Sequence, residues 1–424
     1  MILFNSECNG SMERESDALL KISLPKEVKH IIDILTQNGY EAYAVGGCVR
    51  DSILGRVPGD WDITTSALPQ QVKALFRRTI DTGIQHGTVT IMLGKNGYEV
   101  TTYRIDGKYE DSRHPESVEF TPNLEEDLKR RDFTINAMAY NDENGIVDIF
   151  GGIDDIRNRI IRCVGNAHDR FTEDALRILR AVRFSAQLGF EIDKATKEAA
   201  RELAPTLVKI SRERIHTELN KLLLSDNPDY FSVVYELGVM KVIISELEDV
   251  NSGDIDRLRV LIKRTKPCLP ERYAALLSVI GKDKTRAVLK GLKLDNATIS
   301  MAVKLVEYLG ITPALTEPQM RHYINEVGKE DALRVIDFNL AFASEDEYKG
   351  YTDMRNICVT VLERGDCTSL KELRITGKLL MNSGFEAGKQ LGGLLEELLL
   401  EVLDNPALND TEYLLERAKE LKRQ

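Results

Sequence analysis

Ala44-Val45-Gly46-Gly47-Cys48-Val49-Arg50-Asp51, followed about ten residues later by Gly59-Asp60-Trp61-Asp62, decides how the first part of this chain reads. A short strand over 41–45 ends in a double glycine, and a short helix follows. Gly46 and Gly47 let the backbone approach an anion closely, and the helix start offers unpaired N–H groups and a favourable dipole. Arg50, one turn in, can clamp a phosphate. Alone, this is also an ordinary strand-to-helix turn. The second stretch sharpens it. With 60–64 read as a strand, Asp60 and Asp62 share a face. They then form one hard, oxygen-only site for a divalent cation, with Trp61 packed behind. Mg²⁺ favours a few carboxylates plus substrate phosphates.

Outward from these motifs, strand and helix signals alternate. Helical spacing of Val28, Ile31, Ile32 and Leu35 predicts a helix over 26–37, stopped by Asn38-Gly39. Residues 68–76 are helical. Residues 87–93 and 98–104 are β-rich, and Lys95-Asn96-Gly97 between them predicts a hairpin. Glu99 on its second strand is the best candidate for a third carboxylate, or else an exposed acid on a half-buried strand. From Asp106 to Asn123 the chain is polar and loop-like. After about Asn166 strand signals nearly vanish, and helical periodicity recurs over 171–188, 194–203, 212–224, 230–237, 258–263, 271–280, 299–309, 318–327, 331–342, 369–381 and 386–403. The fold class is therefore α+β: a small mixed α/β domain followed by a long all-α region, without internal repeats.

With 424 residues, two or more domains are expected. Lys and Arg number 57 against 68 Asp and Glu, a net charge of −11, which excludes a uniformly basic nucleic-acid coat but not a local basic face. Over 157–183 there are seven arginines and three acids; over 225–256 there are eight acids and one lysine. The arginine-rich stretch is a basic seam beside an acidic block, which the net charge conceals. Six scattered cysteines without a Cys-x-x-Cys pair argue for reduced thiols. No leader-like start and no long apolar run is present, so a soluble cytoplasmic protein without membrane contact is expected.

Two further stretches carry chemistry. In Lys129-Arg130-Arg131-Asp132-Phe133-Thr134-Ile135-Asn136-Ala137, Arg131 can meet a triphosphate, while Asp132 and Asn136 can bond ribose hydroxyls. In Arg170 to Phe184, Thr172 is a candidate helix cap, and Asp174, Arg177 and Arg180 step by three along one stripe. The stripe reads equally as a salt-bridge ladder. It also has a recognition reading. Cytosine and adenine each present an amine donor beside a ring-nitrogen acceptor. Asp174 accepts from the first and Arg177 donates to the second. Uracil and guanine mismatch both contacts, and unpaired buried groups reject strongly.

Gly-Gly-x-x-Arg-Asp, Asp-x-Asp, Arg-Arg-Asp-Phe-Thr-x-Asn-Ala and Glu-Asp-x-x-Arg, in this order, resemble the class II tRNA nucleotidyltransferases over residues 24–224. The resemblance implies a division into an N-terminal extension (1–24), a nucleotidyltransferase head (25–160), a helical neck carrying the nucleotide template (161–225), a body (226–330) and a tRNA-binding tail (331–424). It implies Mg²⁺ on Asp60 and Asp62, with Glu99 as third carboxylate. Gly46, Gly47, Arg50, Arg131, Asp132 and Asn136 would contact the nucleotide. Asp174 and Arg177 would be the template, supported by Arg180 and Arg183. Ser211-Arg212-Glu213-Arg214-Ile215 resembles a fifth motif that steadies the site. Asp106 to Pro115 resembles the loop needed to switch from CTP to ATP. The implied activity is template-independent addition of CCA to tRNA from CTP and ATP. A-only addition stays open. A poly(A) polymerase would show paired basic residues where Leu188-Gly189-Phe190-Glu191 stands. An inactive RNA-binding scaffold is disfavoured by the intact Asp60, Asp62 and Asp174. His168-Asp169 alone lacks the further ligands of a metal phosphohydrolase.

Overall fold

The computed structural model describes residues 21–107 and 118–422. The expectations for the extension before residue 21, and for most of the loop resembling the nucleotide switch, lie outside the described residues. The chain forms two compact units, the first ending at Ser245 and the second beginning at Glu246.

The first unit holds strands β1 (Ala42–Val45), β2 (Ile63–Thr65), β3 (Thr79–Gly83), β4 (Thr88–Leu93), β5 (Asn96–Thr102), β6 (Arg104–Asp106), β7 (Val118–Phe120), β8 (Met138–Asn141) and β9 (Gly145–Asp148). Seven form one sheet in the order β3-β4-β5-β2-β1-β8-β9, and β6 pairs with β7 apart from it. β1 runs antiparallel to β2 and β8, while β2 and β5 are parallel, with Ile63 beside Val100. Helix α1 (Lys26–Gln37) buries Val28, Ile31, Ile32 and Leu35, as its spacing predicts. Helices α2 (Gly47–Ile53), α3 (Pro69–Leu75), α4 (Leu124–Lys129) and α5 (Gly152–Asn158) complete the mixed part. α6 (Ala167–Glu173), α7 (Leu176–Leu188), α8 (Lys194–Leu203), α9 (Arg212–Leu223), α10 (Phe231–Glu236) and α11 (Met240–Ile243) follow, with two-residue strands at Ile160–Ile161 and Glu191–Ile192.

Several local expectations are corrected. The hairpin turn is Gly94-Lys95, because Leu93 pairs with Asn96 and Gly94 takes φ +63°. Asn96 and Gly97 already belong to β5. Asp60 and Asp62 precede β2 rather than lying in it, although Val45 N donates to Asp62 O at 2.9 Å and extends the ladder by one step. The expected helix over 171–188 is broken at Asp174, whose backbone is extended at φ −142°, ψ 103°. Thr172 is not the cap. Asn166 is, accepting from the amides of His168 and Asp169, while Thr172 Oγ1 donates to His168 O inside α6.

The second unit is helical throughout its described residues: α12 (Ser252–Arg264), α13 (Leu269–Leu277), α14 (Gly281–Gly291), α15 (Asn296–Glu307), α16 (Glu317–Val327), α17 (Ala332–Phe342), α18 (Glu345–Arg364), α19 (Gly377–Asn382), α20 (Lys389–Asp404) and α21 (Thr411–Leu421). The expected helix over 369–381 is a 3₁₀ turn at Leu370–Glu372 followed by α19, capped by Thr376. Buried Arg321 of α16 donates to the carbonyls of Leu403 and Asp404 and to Asp366, tying α16 to the end of α20. Among the described residues no helix is long and apolar enough to cross a membrane, and the five described cysteines are free.

Candidate active site

One end of the sheet gathers most of the predicted residues. β1 runs out into Gly46, where φ +84° demands glycine. A Cβ there would also sit 2.9 Å from Arg131 Nη1. Arg131 thus lies across the glycine turn. Its Nη2 reaches Asp127 Oδ2 at 3.4 Å, and its Nε is buried without a hydrogen-bond partner among the described residues. Asp127 is fully buried. Thr64 of β2 (3.2 Å) and Arg130 (2.7 Å) donate to it as well, and these partners outweigh the burial that would otherwise raise its carboxyl, holding it below its ordinary value. Sequence reasoning missed Asp127, three residues from Arg130 and four from Arg131 on the last turn of α4, a spacing that could have flagged it.

Beside this turn stand Asp60 and Asp62. Neither carboxylate has a hydrogen bond or ion pair among the described residues. Desolvation by the surrounding chain pushes the Asp62 carboxyl up from its ordinary value; Arg131 opposes the shift and the charge of Asp60 adds to it. Two adjacent unneutralised carboxylates are hard oxygen donors that suit a divalent cation. One step back from the parallel pair Ile63 and Val100, Glu99 comes level with Asp62. Both line a cleft of about 730 Å³ with Asp60, Trp61, Lys95 and Tyr98. Trp61 therefore faces this opening rather than packing wholly behind it. Among the described residues no three His, Cys, Asp or Glu side chains gather closely enough to hold a metal by themselves. Glu99 lies on the same cleft as the two aspartates, and a cation held by Asp60 and Asp62 would complete its shell with ligands from outside the protein.

The remaining predicted residues form a polar chain behind the glycine turn. Arg50 donates to Asn136 Oδ1 at 2.6 Å and to Asp51 Oδ1 at 2.9 Å. Gly47 begins α2 in front of Arg50, whose Nη2 would lie 3.7 Å from a Cβ placed there. Asn136 donates to Asp132 Oδ1 at 3.1 Å, and Arg180 closes on Asp132 Oδ2 at 2.5 and 2.8 Å. Burial opposes the charge on Asp132, but Arg180 and Asn136 outweigh it and hold the carboxyl well below the usual range. Arg183 donates to Glu218 Oε2 at 2.9 Å, and Arg180 approaches Oε1 of the same carboxylate at 3.8 Å. The ring of Phe184 carries the guanidinium groups of Arg50, Arg180 and Arg183 at 5.0, 5.4 and 3.6 Å.

Asp174 and Arg177 are brought to the same break between α6 and α7, not to one helical stripe. Arg214 of α9 holds Asp174 with a fork, at 2.7 Å to Oδ2 and 3.3 Å to Oδ1, and Leu176 N donates to Oδ1 at 3.0 Å. Arg177 donates to Glu173 at 2.6 Å and to the carbonyls of Arg170 (3.2 Å) and Arg130 (3.1 Å). Arg214 and Glu218 lie four residues apart on α9, on one face, and their charges signal a partner helix. Both were overlooked as individual contacts.

The arginine stretch is extensively paired. Arg162 pairs with Asp155 and Asp193, Arg170 with Glu173, Arg180 with Asp132 and Arg183 with Glu218. Arg157 pairs with Asp154, and Arg159 bonds the Gly189 carbonyl at 3.3 Å. Most of these partners lie outside the 157–183 stretch, so its local charge excess is largely neutralised by the fold. His168 meets Glu202 at 3.7 Å on the surface and belongs to no metal cluster among the described residues.

Comparison with known proteins follows the same order along the chain. Residues 42–162 match the poly A polymerase head domain, residues 189–250 a probable RNA and SrmB-binding site of polymerase A, and residues 270–418 a tRNA nucleotidyltransferase domain 2. The chain is similar to the CCA-adding enzyme of Limosilactobacillus reuteri (strain DSM 20016), with 37% identity over 403 residues covering 93% of this chain and 96% of that one. It is 38% identical over 402 residues to the CCA-adding enzyme of Geobacillus stearothermophilus, covering 92% and 97%. Its structure resembles that of a Bacillus stearothermophilus CCA-adding enzyme in complex with CTP, with a TM-score of 0.77 and 36% identity over 94% of this chain and 98% of the other.

Proposed function

This chain belongs to the family of CCA-adding enzymes, nucleotidyltransferases that act on tRNA, and on that premise we propose that it completes tRNA 3′ ends with C, C and A from CTP and ATP. The observation that carries the mechanism is the pair of unpartnered carboxylates, Asp60 and Asp62, beside Arg131 across the glycine turn. Enzymes of this family are generally divalent-metal dependent. Asp60 and Asp62 are the residues that would hold Mg²⁺. Bound there, the ions would lower the pKa of the attacking hydroxyl and neutralise charge on the leaving pyrophosphate.

The chain's own groups do the rest by positioning and charge. Arg131, with its buried unused Nε, meets the triphosphate. Gly46 and Gly47 leave room for the phosphates, and Arg50, fixed by Asn136 and Asp51, stands behind them. The tRNA 3′ hydroxyl loses its proton to solvent as its oxygen attacks the α-phosphorus; the bond from that phosphorus to the bridging oxygen breaks, pyrophosphate leaves, and the tRNA grows by one nucleotide. Asp174 and Arg177 read the base edge and so replace a nucleic-acid template. Arg214 supports this reading because it holds Asp174 from behind while a carboxylate oxygen can accept a further bond. Asp132 and Asn136 serve the ribose, backed by Arg180 and Arg183. We divide the chain into an extension, head, neck, body and tail at 1–24, 25–160, 161–225, 226–330 and 331–424, with tRNA held by the tail, and place the protein in the cytoplasm.

The test is extension of a tRNA lacking its CCA end with labelled CTP, ATP or both. CTP alone should add two cytidines, and both nucleotides the full terminus. No incorporation from CTP would leave A-only addition and overturn the full-CCA reading.

A further inference from the structure

The last turn of α4 touches both halves of the site. Asp127 lies on that turn with its side chain fully buried, and its two oxygens are divided between neighbours. Oδ1 accepts a fork from Arg130, at 2.9 Å from Nε and 2.7 Å from Nη2. Oδ2 accepts from Arg131 Nη2 at 3.4 Å and from Thr64 Oγ1 at 3.2 Å. Thr64 belongs to β2, two residues after Asp62. The main-chain carbonyls of the same turn go to the helices on either side of the break at Asp174. Lys129 O accepts from Arg170 Nη1 at 3.0 Å, and Arg130 O accepts from Arg177 Nη2 at 3.1 Å. Carbonyls at a helix end have no partner within the helix, so they are open to such donors. Arg130 O is part of the peptide bond that leads into Arg131. Arg177 therefore holds the backbone from which Arg131 springs, while Asp127 holds the Arg131 side chain.

We propose that Asp127 is a positioning residue that links base reading to the phosphate clamp, so that a matched base at Asp174 and Arg177 sets Arg131 for the transfer step. This link rests on reading Asp174 and Arg177 as the base template and Arg131 as the group that meets the triphosphate. Being fully buried, Asp127 touches neither base nor phosphate and acts through the two arginines. Arg177 is also bonded to Glu173 and to the Arg170 carbonyl, so its guanidinium cannot turn at a base edge without changing its bond to Arg130 O. A shift of that peptide passes to Arg131, because one carboxylate fixes Arg130 and Arg131 together and Thr64 fixes that carboxylate to the sheet. Coupling of this kind travels through contiguous hydrogen-bonded and packed groups. A displacement of about 1 Å at a reacting group can cost roughly 10²-fold in rate. A mismatched base thus loses rate as well as binding, which adds to the discrimination that edge contacts supply.

Asp127→Asn keeps the shape but replaces one acceptor oxygen with an amide donor, so one side of the link is lost. In extension assays of tRNA lacking its terminus, kcat and kcat/KM for CTP should fall together by roughly 10²-fold, while the already slow incorporation of UTP should fall less than about three-fold. Arg130→Ala, at a half-buried position, should narrow the preference for CTP over UTP roughly ten-fold, and Arg130→Lys should recover part of it. A carboxylate that only supports the fold would lower both rates alike. Equal falls for CTP and UTP, or unchanged rates for both in Arg130→Ala and in folded Asp127→Asn, overturn the link and leave CCA addition standing. If Asp127→Asn does not fold, the two Arg130 variants decide alone. A wild-type protein that incorporates no CTP overturns the activity, and the link falls with it.

Discussion

The carboxylate pair and the region around Asp174 and Asp132 are both built from charged side chains, yet they are finished in opposite ways. Asp60 and Asp62 have no partner among the described residues, and their mutual repulsion is left in place. Around Asp174, Arg177, Asp132 and Arg180, by contrast, ion pairs and hydrogen bonds run in a connected network from α2 to α9. The difference suits the proposed function. A centre that must receive cations and phosphates gains by leaving its charge uncompensated. A surface that must tell one base edge from another gains by having its donors and acceptors held in place before the base arrives.

The comparison breaks first at the carboxylates. Asp62→Asn should lower the extension rate by roughly 10³-fold or more, because the cation site and its charge are lost. It should not lower the melting temperature at pH 7. A carboxyl whose folded pKa is raised costs stability at neutral pH, and that cost is relieved as pH falls. A clear drop in melting temperature would contradict the view that this pair is strained rather than structural.

The network should behave the other way. Glu218→Ala strands Arg183, and breaking such a buried pair should cost about 3 kcal/mol in denaturant unfolding of the full chain. Asp174→Ala should leave the fold in place and reduce the preference for CTP and ATP over UTP and GTP by roughly 10²-fold, measured by competitive incorporation. The smallest effect concerns pH. Asp132 is held well below its ordinary value of 3.8, so its contribution to stability is present above 3.8 and is lost as pH falls from there through the lowered folded value. Asp132→Asn should therefore flatten the acid side of the stability profile, and Asp62→Asn should not. Equal acid slopes in both variants would erase the distinction drawn here.

How much of this was legible beforehand depended on distance along the chain. The helix over 26–37 and the helix over 194–203 are local patterns of apolar spacing, and they appear where expected. The longest described helix, α18, was overlooked because only Tyr351, Met354, Cys358 and Val361 of its residues are buried. Its signal was the capping box of Ser344 and Glu347. The partners of the arginine stretch were hidden for the opposite reason. Its local charge was real, but Asp132 lies 48 residues from Arg180, and Glu218 lies 35 from Arg183.

By itself, the sequence determined the type of chemistry. Glycines before a short helix, an Asp-x-Asp, and acids and arginines at short fixed intervals are set by covalent neighbours, and so is the change from mixed to helical periodicity. Tertiary structure alone decided which charges remain free. Asp174, at the break between two helices, is held by Arg214, 40 residues away, and Arg50 is held by Asn136, 86 residues away. An ion pair forms when burial removes water from both partners and packing holds their geometry. No local pattern encodes that condition, so only the fold could separate the open carboxylates from the closed network.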